Sequence, residues 1–105
     1  MSGAATEPTR EEVDAMQGPT VVEFGASWCP HCTRVQPAIA AALARHPDVR
    51  HLKIEDGKGR RLGRSFRVKL WPTLIFMKSG NEITRLVRPT EPESIIDALD
   101  EIDRA

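Results

Sequence analysis

The chain contains two cysteines, three positions apart, in the run Trp28-Cys29-Pro30-His31-Cys32. No other feature constrains the fold as much. Thiols this close cannot staple distant segments, so the 105 residues must fold by burying apolar surface. A chain of this length buries roughly 65% of its unfolded surface, enough for one core without staples. The pair is also a single local site. It falls between an apolar run, Thr20–Phe24, and the onset of a helical pattern, which sets both thiols at a strand-to-helix junction.

The rest of the chain reads as alternating helices and strands. Thr9-Arg10-Glu11-Glu12 has the spacing of a capping box and predicts a short helix to about Gln17, stopped by Gly18-Pro19. Val21, Val22 and Phe24, with the lone acid Glu23 among them, predict a strand covered on both faces. Val35, Ala38, Ile39, Ala42 and Leu43 form one stripe of a long helix. Pro37 should bend that helix, and His46-Pro47 should end it. Val49–Ile54 predicts a second strand, Asp56–Gly59 a turn, and Arg60–Phe66 a short helix weakened by Gly63. Thr73–Met77 is the strongest strand signal, with Lys78-Ser79-Gly80-Asn81 as a turn and Glu82–Val87 as the return strand. Thr90-Glu91-Pro92-Glu93 reads as a second capping box, opening a helix with Ile95, Leu99 and Ile102 on one face. Alternation followed by a hairpin predicts an α/β fold, a mixed sheet with helices on both faces. Residues 1–8 are small and polar and read as a flexible segment before a domain over residues 9–105.

Composition excludes several functions. With 40% hydrophobic and 29% charged residues, the chain is an ordinary globular domain. No apolar run approaches the ~18 residues needed to span a bilayer. Met1–Arg10 has no apolar leader, so the expected setting is cytoplasmic; a chain trimmed of a periplasmic signal would look similar. Fifteen basic and fifteen acidic residues cancel, which argues against nucleic-acid or membrane binding by bulk charge. Neutrality hides segregation, however. Residues 34–88 carry thirteen basic and four acidic groups, between two acidic ends. Six of the basic groups crowd into Lys58–Lys69, either as a solvated loop or as a basic rim that selects acidic partners.

The cysteine pair carries the chemistry. At the first turn of a helix the backbone N–H groups are unpaired and the dipole is positive, so a thiolate at Cys29 is favoured. The dipole contributes about 0.3–2 kcal/mol. A protonated His31 and hydrogen bonds to sulfur are expected to supply the rest of the activation found in such motifs. The two-residue spacer sets Cys29 at the exposed helix entrance and Cys32 one turn inside, within disulfide reach. Pro30 in the first turn costs no backbone bond. The expected reaction is thiol–disulfide exchange, with Cys29 attacking a partner disulfide and Cys32 resolving the mixed disulfide. Cys32 needs a base. Glu23, the lone acid in its strand, is the candidate, and burial is expected to raise its pKa.

These residues resemble the thioredoxin family. Phe24-Gly25-Ala26-Ser27-Trp28-Cys29-Pro30-His31-Cys32 looks like its Phe-x-Ala-x-Trp-Cys-x-x-Cys block. Glu23 falls on the family's buried acid, Pro37 on its helix-kinking proline and Gly80 on its hairpin glycine. Phe66–Thr73 looks like the segment bearing its cis-proline, which implies that Pro72 is cis and adjacent to Cys29. The resemblance covers about residues 9–103 and implies a thioredoxin fold, a central mixed sheet of about four strands flanked by helices on both faces. It further implies a monomer that exchanges thiols with protein disulfides or dithiols, without a cofactor and with a thioredoxin reductase-type reductant. Trp28, Pro30, Trp71 and Pro72 would form the substrate surface. Several residues depart from the pattern. Pro30-His31 replaces the Gly-Pro of ordinary thioredoxins and matches the oxidising Dsb-type members, whose reduced thiolate is strongly stabilised. That implies a protein more oxidising than ordinary thioredoxin. Trp71 is bulkier than the usual residue before the cis-proline, and Arg88 stands where a glycine near the substrate groove is usual. The family's first edge strand has no clear counterpart in Met1–Pro8.

Other readings fit less well. Cys29-x2-Cys32-x13-His46-x4-His51 has formal Cys2His2 zinc spacing, but here the cysteines open a helix and Pro47 separates the histidines. His46 reads instead as a helix-end residue and His51 as a strand surface residue. Gly57-x-Gly59-x3-Gly63 lacks the spacing of a dinucleotide fingerprint. Trp28 and the Lys78–Asn81 turn fit thioredoxin better than glutaredoxin. The alternative function is a redox-independent peptide-binding or holdase module on the same fold.

Overall fold

The computed structural model describes residues 7–104. The flexible segment expected at residues 1–8 lies outside them except for Glu7 and Pro8. In chain order the elements are α1 (Arg10–Asp14), β1 (Pro19–Gly25), α2 (Pro30–Ala44), β2 (Arg50–Glu55), α3 (Arg61–Ser65), β3 (Thr73–Lys78), β4 (Asn81–Val87) and α4 (Pro92–Ile102). Among the described residues the strands form one sheet in the order β2-β1-β3-β4. β1 runs parallel to β2, and the other pairings are antiparallel. This is the α/β architecture with a mixed sheet that the alternation predicts.

β1 and β3 are the interior strands, and every residue from Thr20 to Gly25 and from Thr73 to Met77 is buried. That explains their nearly continuous apolar runs. Strand alternation then divides two cores. Val21, Leu74 and Phe76 face α2 and α4 and pack with Val35, Ile39, Leu99 and Ile102. Val22, Phe24, Ile75 and Met77 face the other way, against Val13 of α1 and Leu62 and Phe66 of the α3 segment. Each large side chain so buried stabilises the fold by about 1.5–3 kcal/mol before entropy is counted. Glu23 lies on the α2 face, two residues from Val21, and so beneath the helix that carries the cysteines.

Helix ends follow local chemistry, with two departures from expectation. The capping box at α1 is present: the Glu12 N–H donates to Thr9 Oγ1 at 3.0 Å and the Thr9 N–H to Glu12 Oε1 at 2.8 Å. α1 ends at Asp14 rather than near Gln17. Gly18, at φ +81°, is hydrogen-bonded through its N–H and its carbonyl to Ser79 of the β3–β4 turn, which draws the chain into β1. The second capping box does not form. Glu91, not Thr90, is the N-cap of α4, and no side chain caps it. The cause is Pro92, whose ring excludes the helical region for the residue before it. Glu91 is therefore extended, at φ −122° and ψ 141°, and Pro92 takes the first helical position.

α2 continues through Pro37 to Ala44 and is capped at Arg45. His46 does more than end it. Its Nε2 lies 2.8 Å from Asp100 Oδ1 and its Nδ1 2.6 Å from Asp103 Oδ2, so it ties the end of α2 to α4. Gly63, a weak helix former, has a packing reason. A Cβ there would run into the carboxylate of Asp56, which belongs to the site described next.

Candidate active site

Cys29 is the N-cap of α2, in extended conformation, with Pro30 in the first turn. The Cys32 N–H donates to Cys29 Sγ at 3.3 Å, so an orphan donor of the helix start is spent on sulfur. Both thiols are free. The sequence pattern places Cys29 at an exposed entrance, but both cysteines are buried, at 4% and 6% exposure. They cluster with Ala26, and Trp71 packs against them, which supplies the cover that the spacing alone does not reveal. Burial, the contact with Cys29 and the negative field of Glu23 push the Cys32 thiol up to about 11. Gly25 lets this sulfur in: a Cβ there would stand 2.9 Å from Cys32 Sγ.

Glu23 is 2% exposed but not isolated. Its Oε1 lies 2.7 Å from His51 Nε2, and its Oε2 accepts from Gln36 Nε2 at 2.7 Å. Gln36 also donates to the Cys32 carbonyl at 2.9 Å and accepts from Lys53 Nζ at 2.9 Å. This corrects the expected titration. Burial pushes Glu23 up, but the hydrogen bonds from His51 and Gln36 and the charges of His51 and Lys53 outweigh it. The carboxyl is held below its ordinary value. His51 likewise is not merely a surface residue; it is the partner of the buried acid. The signal was present in β2: with Leu52 and Ile54 in the core, His51 and Lys53 must share the opposite face. Parallel pairing then sets that face beside Glu23. A hollow of about 210 Å³ is lined by Glu23, Gly25, Cys32, Gln36 and Lys53, so acid and inner thiol share one space.

On the outer side, Trp28 is 72% exposed and meets Trp71 edge to face, with ring centroids 5.4 Å apart. Trp71 Nε1 donates to Asp56 Oδ2 at 2.9 Å, the carboxylate for which Gly63 leaves room. The Trp71–Pro72 bond is cis, as the resemblance implies. Trp71 contacts the cysteine cluster, while the buried Pro72 lines a groove with His31, Arg34 and Arg88. Arg88 adopts φ +52°, a conformation that favours glycine. Its N–H donates to the Pro72 carbonyl at 2.8 Å and its Nε to the Trp71 carbonyl at 2.8 Å, so it brackets the cis-proline from both ends. The zinc pattern does not converge: His46 is engaged with Asp100 and Asp103, and His51 with Glu23. No cluster of three metal-ligating side chains occurs among the described residues.

Fold and thiols together define a class, an α/β protein with a Cys-x-x-Cys pair heading a helix that contains a proline. The chain belongs to the thioredoxin family, whose model matches residues 4–101. It is similar to thioredoxin 2 from Pseudomonas aeruginosa in its reduced form, with 48% identity, 98% of this chain and 97% of that chain covered, and a TM-score of 0.84. It is 36% identical over 73 residues to thioredoxin H5 of Arabidopsis thaliana, covering 70% of this chain and 62% of that protein. With the thioredoxin of Chlamydia trachomatis it shares 33% identity over 79 residues, 75% of this chain and 78% of that protein. The chain thus spans less than two thirds of the length of several plant thioredoxins it matches.

Proposed function

We propose that the chain is a thiol–disulfide oxidoreductase acting on protein disulfides through Cys29 and Cys32. The observation that carries this is the placement of two free thiols at the head of α2, with Cys29 Sγ accepting the Cys32 N–H at 3.3 Å. In the reducing direction, Cys29 thiolate attacks a substrate disulfide. A Cys29–substrate S–S bond forms and one substrate thiolate leaves. Cys32 then loses its proton and attacks Cys29 Sγ, closing the Cys29–Cys32 disulfide and expelling the second substrate thiolate. Two electrons pass from the protein dithiol to the substrate, and the sulfurs carry both. Oxidation of a dithiol is the same path reversed.

Glu23 is the proton acceptor for Cys32 in this reading, supported by their shared hollow. A carboxyl held below its ordinary value is ionised and ready to accept, yet it binds a proton weakly. The transfer from a thiol near 11 therefore has to accompany formation of the S–S bond. Trp28, Pro30, Trp71 and Pro72 form the surface on which the substrate lies. His31 favours the Cys29 thiolate and hence the reduced form, which makes the protein more oxidising than an ordinary thioredoxin. A His31→Pro variant is expected to have a lower reduction potential; an unchanged potential would remove His31 from this role. A reductase-type partner in the cytoplasm would return the disulfide to the dithiol, and no helix among the described residues is long and apolar enough to cross a membrane.

Insulin-disulfide reduction tests the central reading. Cys29→Ser should be inactive, and Cys32→Ser should accumulate a mixed disulfide on Cys29, visible by mass. Equal activity of Cys29→Ser and wild type would instead favour the redox-independent binding module.

A further inference from the structure

We propose that the groove at Arg34 and Arg88 makes this protein prefer disulfides flanked by acidic residues. The inference rests on the oxidoreductase reading and adds the chemical class of its substrate. The groove has a volume of about 330 Å³. His31, Arg34, Arg88 and Thr90 supply its polar lining, and Val35, Ala38 and Pro72 are among the apolar residues. No carboxylate lines it. Among the described residues neither arginine takes part in an ion pair. Arg88 commits its Nε to the Trp71 carbonyl, while its terminal nitrogens have no protein partner among those residues. Two permanent cations thus stand without an ion-pair partner among the described residues at a groove reaching from His31, inside the Cys-x-x-Cys run, to Pro72, next to the tryptophan that covers both sulfurs.

Arg88 strengthens the case. A non-glycine residue held at φ +52° occupies backbone space that glycine takes at less cost, and such outliers persist where the surroundings enforce them. Here two hydrogen bonds to the Trp71–Pro72 segment hold it, and they set a cation at the groove's rim. The basic segment Lys58–Lys69 is a weaker candidate for the same task. Its hollow of about 470 Å³, beyond Trp71, includes the carboxylate of Asp56 and so presents mixed charge. The occupant of the Arg34–Arg88 groove is therefore an extended acidic stretch of a substrate protein, lying beside its disulfide. Charge at such a rim acts chiefly on encounter rate.

The test uses two disulfide-bonded peptides of equal length, one with Glu and one with Gln flanking the cysteines. The protein is reduced beforehand and freed of reductant. A single turnover is quenched with acid and read by mass. Each rate is divided by that peptide's rate with dithiothreitol, which removes differences in intrinsic reactivity. At low ionic strength wild type should reduce the Glu peptide about five- to tenfold faster than the Gln peptide. The ratio should fall toward one in about 0.5 M salt. It should also fall toward one in Arg88→Gln, and to one or below in Arg34→Glu. The Arg34 side chain makes no hydrogen bond among the described residues, so a structural role would not move that ratio. A wild-type ratio of one, or a ratio unmoved by both variants, overturns the proposal and leaves the oxidoreductase reading in place. Failure of wild type to reduce either peptide overturns both.

Discussion

Glu23 is an ionised group inside a sheet, and its surroundings decide what that costs. His51 and Gln36 satisfy both carboxylate oxygens, so the charge is buried but paired. Its folded pKa lies below the ordinary 4.5. As pH falls through that value the unfolded chain takes up the proton first. Stability present above about 4.5 is therefore lost progressively as pH drops toward the folded pKa. Urea midpoints measured from about pH 7 to about pH 3 should fall more steeply for wild type than for Glu23→Gln. Parallel profiles would show that Glu23 is not held ionised. At neutral pH the same variant should slow resolution of the mixed disulfide more than its formation, and equal slowing of both would remove Glu23 as acceptor. The acid itself was legible in the sequence, because one carboxylate in an apolar run needs a reason. The sign of its shift was not legible. That sign depends on His51 and Gln36, which are 28 and 13 residues away and converge only when β2 pairs beside β1 and α2 crosses above.

At the scale of elements, short-range chemistry competes with itself, and the two capping motifs measure the outcome. Both have the same spacing, yet Thr9 caps α1 and Thr90 does not cap α4. The proline at the third place of the second motif excludes its neighbour from helical space, and that steric rule overrides the cap pattern. Thr9→Ala should cost about 1 kcal/mol in urea unfolding, whereas Thr90→Ala should stay within about 0.5 kcal/mol. Equal losses at the two sites would restore the second box. The strands were more legible than the helix ends. Their bounds follow from burial on two faces, a pattern that Val21–Phe24 and Thr73–Met77 carry in composition alone. The cover over Cys29 was legible only through the family resemblance, which brings the Trp71–Pro72 segment beside Cys29: Trp71 arrives from a loop more than forty residues later, and nothing local announces it.

Across the whole molecule, the sheet divides the interior into two cores of different thickness. α2 and α4, 15 and 11 residues long, cover one face, while α1 and α3, five residues each, cover the other. The interior strands are shared by both cores, so their backbone opens only when both fail. Amide exchange should accordingly be slowest at Val22, Phe24, Ile75 and Phe76. It should be faster in α1 and at the exposed positions of β4. Slowest exchange in α1 would contradict this hierarchy. The charge segregation noted in the sequence also resolves at this scale. His46, within the basic middle stretch, is clasped by Asp100 and Asp103 of the acidic end, which holds α2 to α4. The arginines beside the cysteines have no such partner among the described residues.

The edge-to-face pair Trp28–Trp71 has an optical consequence. These are the only two tryptophans in the chain, and both sit at the sulfurs' end of the molecule. Indole emission therefore reports on this one region and is blind to the far end of the sheet. Closing or opening the S–S bond beneath Trp71 should change the emission intensity without any added dye. For the same reason, a melting curve followed by fluorescence reads the loosening of the tryptophan pair, while far-ultraviolet dichroism reads the helices. A gap between their two midpoints would give, in degrees, how much sooner the reactive end lets go than the scaffold that carries it.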